Sequence, residues 1–112
     1  MTTQSYLILL ALAGGRSHGY ALIQLVKELS QGQVTLGAGT LYGNLDRLLA
    51  AGFVESVGEE TVGGRARRYY MITGDGEQAA RGETARLAQL AEKAKRVLGN
   101  LPPRLGIQGS PA

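Results

Sequence analysis

Two segments of the sequence carry the side chains best suited to hold a nucleic acid, and the first is residues 39–52. Its leucines recur at helical spacing, with polar residues between them. An exposed asparagine can pair with adenine through two hydrogen bonds, and an arginine can contact guanine or a phosphate. The segment therefore predicts a helix that enters the major groove of duplex DNA. The residues expected to contact DNA are Thr40, Tyr42, Gly43, Asn44 and Arg47.

Gly43 within the predicted helix has two interpretations. A glycine costs a helix about 1 kcal/mol relative to alanine. Its missing side chain would let the helix lie closer to the DNA backbone, where the hydroxyls of Thr40 and Tyr42 could donate to phosphates. The alternative is an ordinary surface helix that happens to contain a glycine, and spacing alone leaves both open.

The second segment is a basic strand that follows a glycine-containing loop at 58–64. Arg65, Arg67 and Arg68 lie beside flexible glycines, so their guanidinium groups can settle in a minor groove or on phosphates. Two glutamates in the loop weaken the positive field, and a solvated charged hairpin is the alternative. A helix and an arginine-bearing hairpin in this order together favour duplex DNA as the partner.

The remaining elements must position these two segments. Hydrophobic periodicity and capping residues predict four helices, a hairpin or wing, and a connector at 32–39 with room for one short strand. The fold class is therefore mainly α with a small β-hairpin: a winged helix-turn-helix followed by a C-terminal dimerisation helix. We expect a DNA-binding domain at 1–73, the dimerisation helix at 74–100 and an irregular tail at 101–112. The predicted helices cover 3–13, 18–30, 40–52 and 74–99, with Thr40 and Thr73 as N-caps and strands at 53–57 and 67–73.

Two helices carry apolar residues that a single small domain does not obviously need. The first helix is apolar on every side, and the last has a stripe that steps by three and four residues, as in paired helices. A central core helix and a stripe that packs on its own domain are the alternatives. The residues predicted to join two copies are Tyr6, Leu9, Leu10, Leu87, Leu90, Ala94 and Val97.

Composition narrows the class of protein. The chain has 112 residues, 44% of them hydrophobic, a net charge of +3 and no cysteine. These values suit one folded domain, permit nucleic acid as a partner and exclude disulfides and cysteine nucleophiles. No nucleophile has a base and an orienting acid nearby in the sequence, and no carboxylate pair suggests acid–base catalysis. We predict no enzymatic activity and no cofactor.

Metal and membrane sites are not expected either. His18 is the single histidine, and a lone histidine at a helix start is more typical of a cap or core residue than of a metal ligand. The apolar run at 6–13 is too short to span a bilayer, and residues 1–5 lack the basic start of a signal peptide. The expected location is the cytoplasm.

Taken together, the segments resemble the PadR family of bacterial transcriptional regulators, in its small type with a single C-terminal helix. The resemblance covers roughly residues 4–98. It rests on the apolar run at 6–12, His18-Gly19-Tyr20, Gly39-Thr40-Leu41-Tyr42 with Leu45, Arg47 and Leu48, Gly52-Phe53-Val54, and the wing at 64–70 with Thr73 and Gly76.

This resemblance implies a homodimer in which each C-terminal helix packs against the first helix of the partner. It also implies a pseudo-palindromic operator in double-stranded DNA, usually repression, and in some members a small aromatic or hydrophobic effector near the dimer interface. Thr40, Tyr42, Asn44 and Arg47 fall where the family places its recognition-helix contacts, and Arg65 and Arg67 fall on its wing. The alternative from another class is a ligand-sensing or protein-interaction dimer that does not bind DNA.

Overall fold

The computed structural model describes residues 1–104, and the last part of the predicted tail lies outside the described residues. Four helices and three strands alternate along the chain. They are α1 (Thr3–Ala13), β1 (Ser17–His18), α2 (Gly19–Leu29), α3 (Ala38–Ala50), β2 (Val54–Val62), β3 (Arg65–Ile72) and α4 (Gly74–Gly99). The winged helix-turn-helix prediction is confirmed, and α1 and α4 have the predicted bounds. No helix among residues 1–104 is long and apolar enough to cross a membrane.

The start of α3 differs from the prediction. The helix begins at Ala38, and Gly37 is its N-cap, with no capping hydrogen bond from a side chain. Thr40 therefore lies inside the first turn and is not the cap. The connector before α3 contains no strand, and the extra strand is instead β1, immediately before α2.

The hydrophobic core lies where α1 crosses α2 and α3. α1 supplies the centre of this core, because its side chains Leu7, Ile8, Leu9, Ala11 and Leu12 are buried, whereas Tyr6 and Leu10 are half-buried. Each fully buried leucine or isoleucine contributes about 1.5–3 kcal/mol relative to leaving it exposed. The largest fully buried apolar side chains are Ile8, Leu9, Leu12, Leu22, Val26, Leu41 and Leu45.

The wing is longer than the sequence pattern predicts. β2 and β3 pair in antiparallel fashion from Val54–Ile72 out to Val62–Arg65, with an irregularity between Ser56 and Gly58. The turn is only Gly63 and Gly64, whose φ values of 60° and 79° suit the type I′ turn of a two-residue hairpin. β1 adds a third strand to the other edge of β3, in the order β1-β3-β2. The predicted loop at 58–64 is thus mostly strand.

The start of α4 is fixed to the domain, whereas its later turns project from it. The Thr73 hydroxyl accepts a hydrogen bond from the Gly76 N–H at 3.0 Å and donates to the Gly52 carbonyl at 2.6 Å. A side chain at Gly76 would collide with the Phe53 carbonyl, so only glycine permits this approach. The buried residues of α4 are Gly76 and Ala80. From residue 84 onward the helix is exposed, and the molecule measures 60 × 29 × 20 Å.

Candidate nucleic-acid interface

The outward face of α3 carries four of the five residues predicted to contact DNA. Thr40, Tyr42 and Arg47 are exposed, and Gly43 is half-buried with open space above its Cα apart from the Arg47 guanidinium. Steps of three and four residues place Thr40, Gly43 and Arg47 along one side of the helix. This side is a polar, neutral-to-basic surface, with Asp46 as an exposed acidic neighbour.

Asn44 is the exception, and its predicted contact with bases is wrong. Its side chain is 1% exposed and points into the domain, toward α1. The Ser5 hydroxyl donates to Asn44 Oδ1 at 2.8 Å, and Asn44 Nδ2 donates to the Thr40 carbonyl at 2.9 Å. The physical reason is helical spacing: residue 44 follows Leu41 by three positions and precedes Leu48 by four, so it shares the buried stripe.

Tyr42 connects α3 to the beginning of α2. Its ring lies against Gly19, where an added side chain would collide with the Tyr42 hydroxyl. Gly19 is the first residue of α2, and its N-cap His18 makes no capping hydrogen bond with its side chain. The first N–H groups of a helix lack partners within the helix and favour an anion. The Tyr42 hydroxyl and this helix start therefore offer donors suited to one phosphate group.

The wing arginines differ in their surroundings. Arg65 is exposed near the turn, and Arg67 is half-buried on the returning strand. Arg68 Nη2 lies 3.3 Å from Glu59 Oε2, and this hydrogen bond is the main reason that the pKa of Arg68 is raised. The Tyr69 hydroxyl donates to Glu60 Oε1 at 2.6 Å, which is the main reason that the pKa of Tyr69 is raised.

A cleft of about 440 Å³ lies between the helix-turn-helix and the wing. The three wing arginines and Tyr42 all line this cleft, so residues of the predicted DNA-contacting helix and of the basic strand meet in space. The cleft also includes residues that no pattern in the sequence connects with DNA, such as Tyr20, which is 70% exposed. The lining residues are His18, Gly19, Tyr20, Tyr42, Val62, Arg65, Ala66, Arg67 and Arg68.

His18 has a packing role in the structure. Its ring meets the Tyr69 ring edge-on, with 5.4 Å between centroids. The Arg16 guanidinium lies 4.7 Å from the centre of the same Tyr69 ring, within the range of a cation–π contact. No group of three or more potential metal ligands lies together among residues 1–104.

A second, apolar surface lies along α4 and the groove between α1 and α4. The predicted pairing residues of α4, which are Leu87, Leu90, Ala94 and Val97, are all exposed. A groove of about 600 Å³ separates α1 from α4 and includes Leu10, Ala80 and Ala85. The Tyr6 hydroxyl lies 2.7 Å from the Thr84 hydroxyl across the same two helices.

Leu9 does not belong to that surface. It is 0% exposed within the single chain, so it cannot contact a second copy, and its predicted dimer contact is wrong. Leu10 and Tyr6, its neighbours on α1, are half-buried. A helix that is apolar on every side gives no signal to distinguish the two faces, which is why the sequence did not separate Leu9 from Leu10.

Comparisons with known proteins agree with this fold. The model of the transcriptional regulator PadR-like family matches residues 8–82, which is more than half of the chain. A PadR family transcriptional regulator from Eggerthella lenta is 27% identical with a TM-score of 0.69, over 88% of this chain and 86% of that one. A PadR family transcription regulator from Clostridium difficile is 20% identical with a TM-score of 0.71, over 87% and 99%.

A third structure contains nucleic acid. Bacillus subtilis PadR in complex with operator DNA is 23% identical to this chain, with a TM-score of 0.65. The match covers 74% of this chain and 47% of that protein, and it shows a shared fold. No curated protein matches the chain.

Proposed function

The chain belongs to the transcriptional regulator PadR-like family, and from this membership we propose that it binds an operator in duplex DNA as a homodimer and represses transcription. The family is one of regulators and not of enzymes, in agreement with the prediction. The observation that carries the proposal is that Tyr42 of α3 and three wing arginines line one cleft. A DNA-binding regulator of this kind would act in the cytoplasm.

The proposed contacts divide into two sets. Thr40, Gly43 and Arg47 on α3 enter the major groove, where Arg47 is the side chain able to contact a guanine. Tyr42 and the start of α2 hold a phosphate, and the wing residues Arg65, Arg67 and Arg68 grip the flanking backbone or the minor groove. In this scheme residues 1–73 form the DNA-binding domain and 74–100 the dimerisation helix, and Tyr6 and Leu10 of α1 join that helix in the interface between copies.

The proposed dimer uses the apolar surface of α4. Leu90 is 54% exposed and Val97 is 64% exposed, and apolar side chains in such a stripe are stabilised when a partner removes them from water. A second copy with the same stripe is a suitable partner because a twofold interface uses the same residues on both sides. Pairing would also fix the distance between the two α3 helices, at about one turn of DNA.

The proposal also includes a small aromatic or hydrophobic effector that binds near the dimer interface and releases DNA. The groove between α1 and α4 lies beside the proposed dimer surface, and its volume of about 600 Å³ falls in the usual range for ligand sites. A compound bound there would contact both the helix that packs on α3 and the helix that joins the two copies. Binding could therefore change the spacing of the two recognition helices and release DNA.

The test is a gel-shift titration with the DNA upstream of the protein's own gene, followed by footprinting. We expect one protected site with two similar half-sites and two copies of the protein per site, and weaker binding to random duplex. Equal affinity for random duplex, or no binding at low salt, would overturn the proposal.

A dimer that senses ligands without binding DNA is the second candidate. The observation that favours it is an acidic side chain on each proposed DNA-contact element: Asp46 is exposed on α3, and Glu59 holds Arg68 on the wing. It predicts a dimer in sedimentation that shifts no DNA at any salt concentration.

A further inference from the structure

We propose that Asn44 is a positioning residue: its buried amide, held by Ser5, fixes the rotation of α3 against α1 and so determines which side chains of α3 face DNA. The inference deepens the proposed function and rests on it for its effect on DNA. It assigns to Asn44 a role that acts through Thr40, Gly43 and Arg47 rather than through a base contact. The hydrogen bonds and burial of the residue support this role.

The polar contact between the two helices leaves neither side chain without a hydrogen-bond partner. Ser5 and Asn44 lie 39 residues apart in the sequence, and both are buried, Ser5 at 8% exposure. Asn44 Oδ1 accepts from the Ser5 hydroxyl, and Asn44 Nδ2 donates to the Thr40 carbonyl and weakly to Gln4 Oε1 at 3.5 Å. No buried side-chain nitrogen or oxygen among residues 1–104 lacks a hydrogen-bond partner.

Direction distinguishes this contact from the leucines around it. Leu41, Leu45 and Leu48 pack α3 into the core, but apolar burial is non-directional and does not by itself select one rotation of the helix. A hydrogen bond between two buried side chains is lost under the same rotation, and each group is then left buried without a partner. A single buried asparagine can therefore select one arrangement of two helices, as it does in coiled coils.

Ser5 itself has a fixed position at the start of α1. Its backbone N–H donates to the Thr2 hydroxyl at 3.1 Å, so the first turn of α1 is capped at the place where Asn44 is held. The next residue, Tyr6, reaches Thr84 of α4 through its hydroxyl. One turn of α1 thus contacts both the proposed recognition helix and the helix proposed to join two copies. The rotation of α3 is in this way tied to the frame of the dimer.

The test replaces the pair with apolar residues of suitable size. Ser5→Ala with Asn44→Leu removes both polar groups without leaving either one unsatisfied, so the domain should unfold at the same or a higher temperature. Binding is measured for the operator and for random duplex of equal length, at a temperature where circular dichroism shows every variant folded. We expect the Kd for random duplex divided by the Kd for the operator to fall about ten-fold, the discrimination usually lost with one base pair.

Val26→Ala is the matched control, because it makes a cavity in the core without touching the pair. It should lower the unfolding temperature and leave the ratio of the Kd values unchanged. A double variant whose ratio stays within about two-fold of the unmodified protein, a change small against the cost of one base pair, would overturn the inference.

A second measurement needs no DNA. In the free protein, amide resonances and residual dipolar couplings of residues 38–50 should fit one orientation of α3 against α1. In the double variant they should broaden, split or fit a rotated helix. Couplings that stay the same in the double variant would overturn the inference even if the unmodified protein binds no DNA. Failure of the unmodified protein to prefer any operator would instead overturn the proposed function.

Discussion

Glu59 holds Arg68 across the wing, with 3.3 Å between the carboxylate Oε2 and the guanidinium Nη2. The two residues face each other in the register of β2 and β3, so the strand pairing itself places them together. Arg68 lines the cleft where the wing meets the helix-turn-helix, and a phosphate in that cleft would compete with Glu59 for the same guanidinium. The wing therefore carries its own competitor for a DNA contact.

Removing this competitor should strengthen DNA binding. In Glu59→Gln the Arg68 side chain is free to neutralise a phosphate, and one negative charge is lost beside the cleft. We expect a lower Kd at all salt concentrations and a slope of log K against log salt that steepens by about 0.9, the value for one additional phosphate contact. A fluorescence-anisotropy titration over a series of salt concentrations measures both quantities.

Glu55→Gln is the control for charge alone. Glu55 lies on the same strand, opposite Met71 rather than opposite an arginine. Glu55→Gln should lower the Kd slightly and leave the slope of log K against log salt unchanged. If both variants give the same change, the Glu59–Arg68 contact has no specific role in binding.

Arg65→Ala tests the wing by removing a phosphate contact, whereas Glu59→Gln adds one. Arg65 is exposed beside the turn and lines the cleft, so its loss should remove one phosphate contact and leave the fold intact. The salt slope should fall by about 0.9 on operator and random duplex alike, because a phosphate contact carries no sequence information. Arg81→Ala on α4 removes the same charge away from the cleft and should leave the slope as it is. An unchanged slope in Arg65→Ala would remove this residue from the interface.

Gly43→Ala separates the stability of α3 from its approach to DNA. An added Cβ would meet only the Arg47 guanidinium, at 3.9 Å, which is an ordinary contact. The helix should gain up to about 1 kcal/mol in the free energy of unfolding. If DNA lies close to this position, the same variant should bind the operator more weakly despite its greater stability.

Denaturant unfolding and gel shift measure the two effects, and Gly82→Ala on the exposed part of α4 is the control for helix stability alone. Operator binding equal to that of the unmodified protein would mean that the helix does not approach DNA at Gly43.

Much of the fold could be predicted because the decisive patterns are local. Thr73 caps α4 as predicted, and the exposure of Leu87, Leu90 and Val97 on that helix agrees with the stripe read from the sequence. β1 could not be predicted in this way. Its two residues, Ser17 and His18, become a strand only by pairing with Tyr70 and Tyr69, which lie far along the chain.

The site was harder to predict because residue type and helix position gave different answers. The polarity of Asn44 favours the DNA face of α3, whereas its spacing from Leu41 and Leu48 places it in the core. A buried polar residue needs a partner, and that partner, Ser5, lies on another helix where no local pattern reveals it. For Glu59, the sequence indicates a negative charge near the wing, but only the register of β2 and β3 shows that it pairs with Arg68.

Leu90→Glu tests whether the dimer is needed for DNA binding. The side chain is 54% exposed, so a glutamate there costs the single chain little and should leave its circular dichroism spectrum unchanged. Between two copies, however, it would place two like charges in an apolar seam, where desolvation and repulsion both oppose pairing. Sedimentation should give monomers, and operator binding should fall with loss of the dimer. Glu92→Gln, on the same helix but outside the stripe, is the control and should change neither result. A variant that remains a dimer would place Leu90 outside the interface, and a monomer that binds the operator as tightly as the unmodified protein would show that pairing is not required.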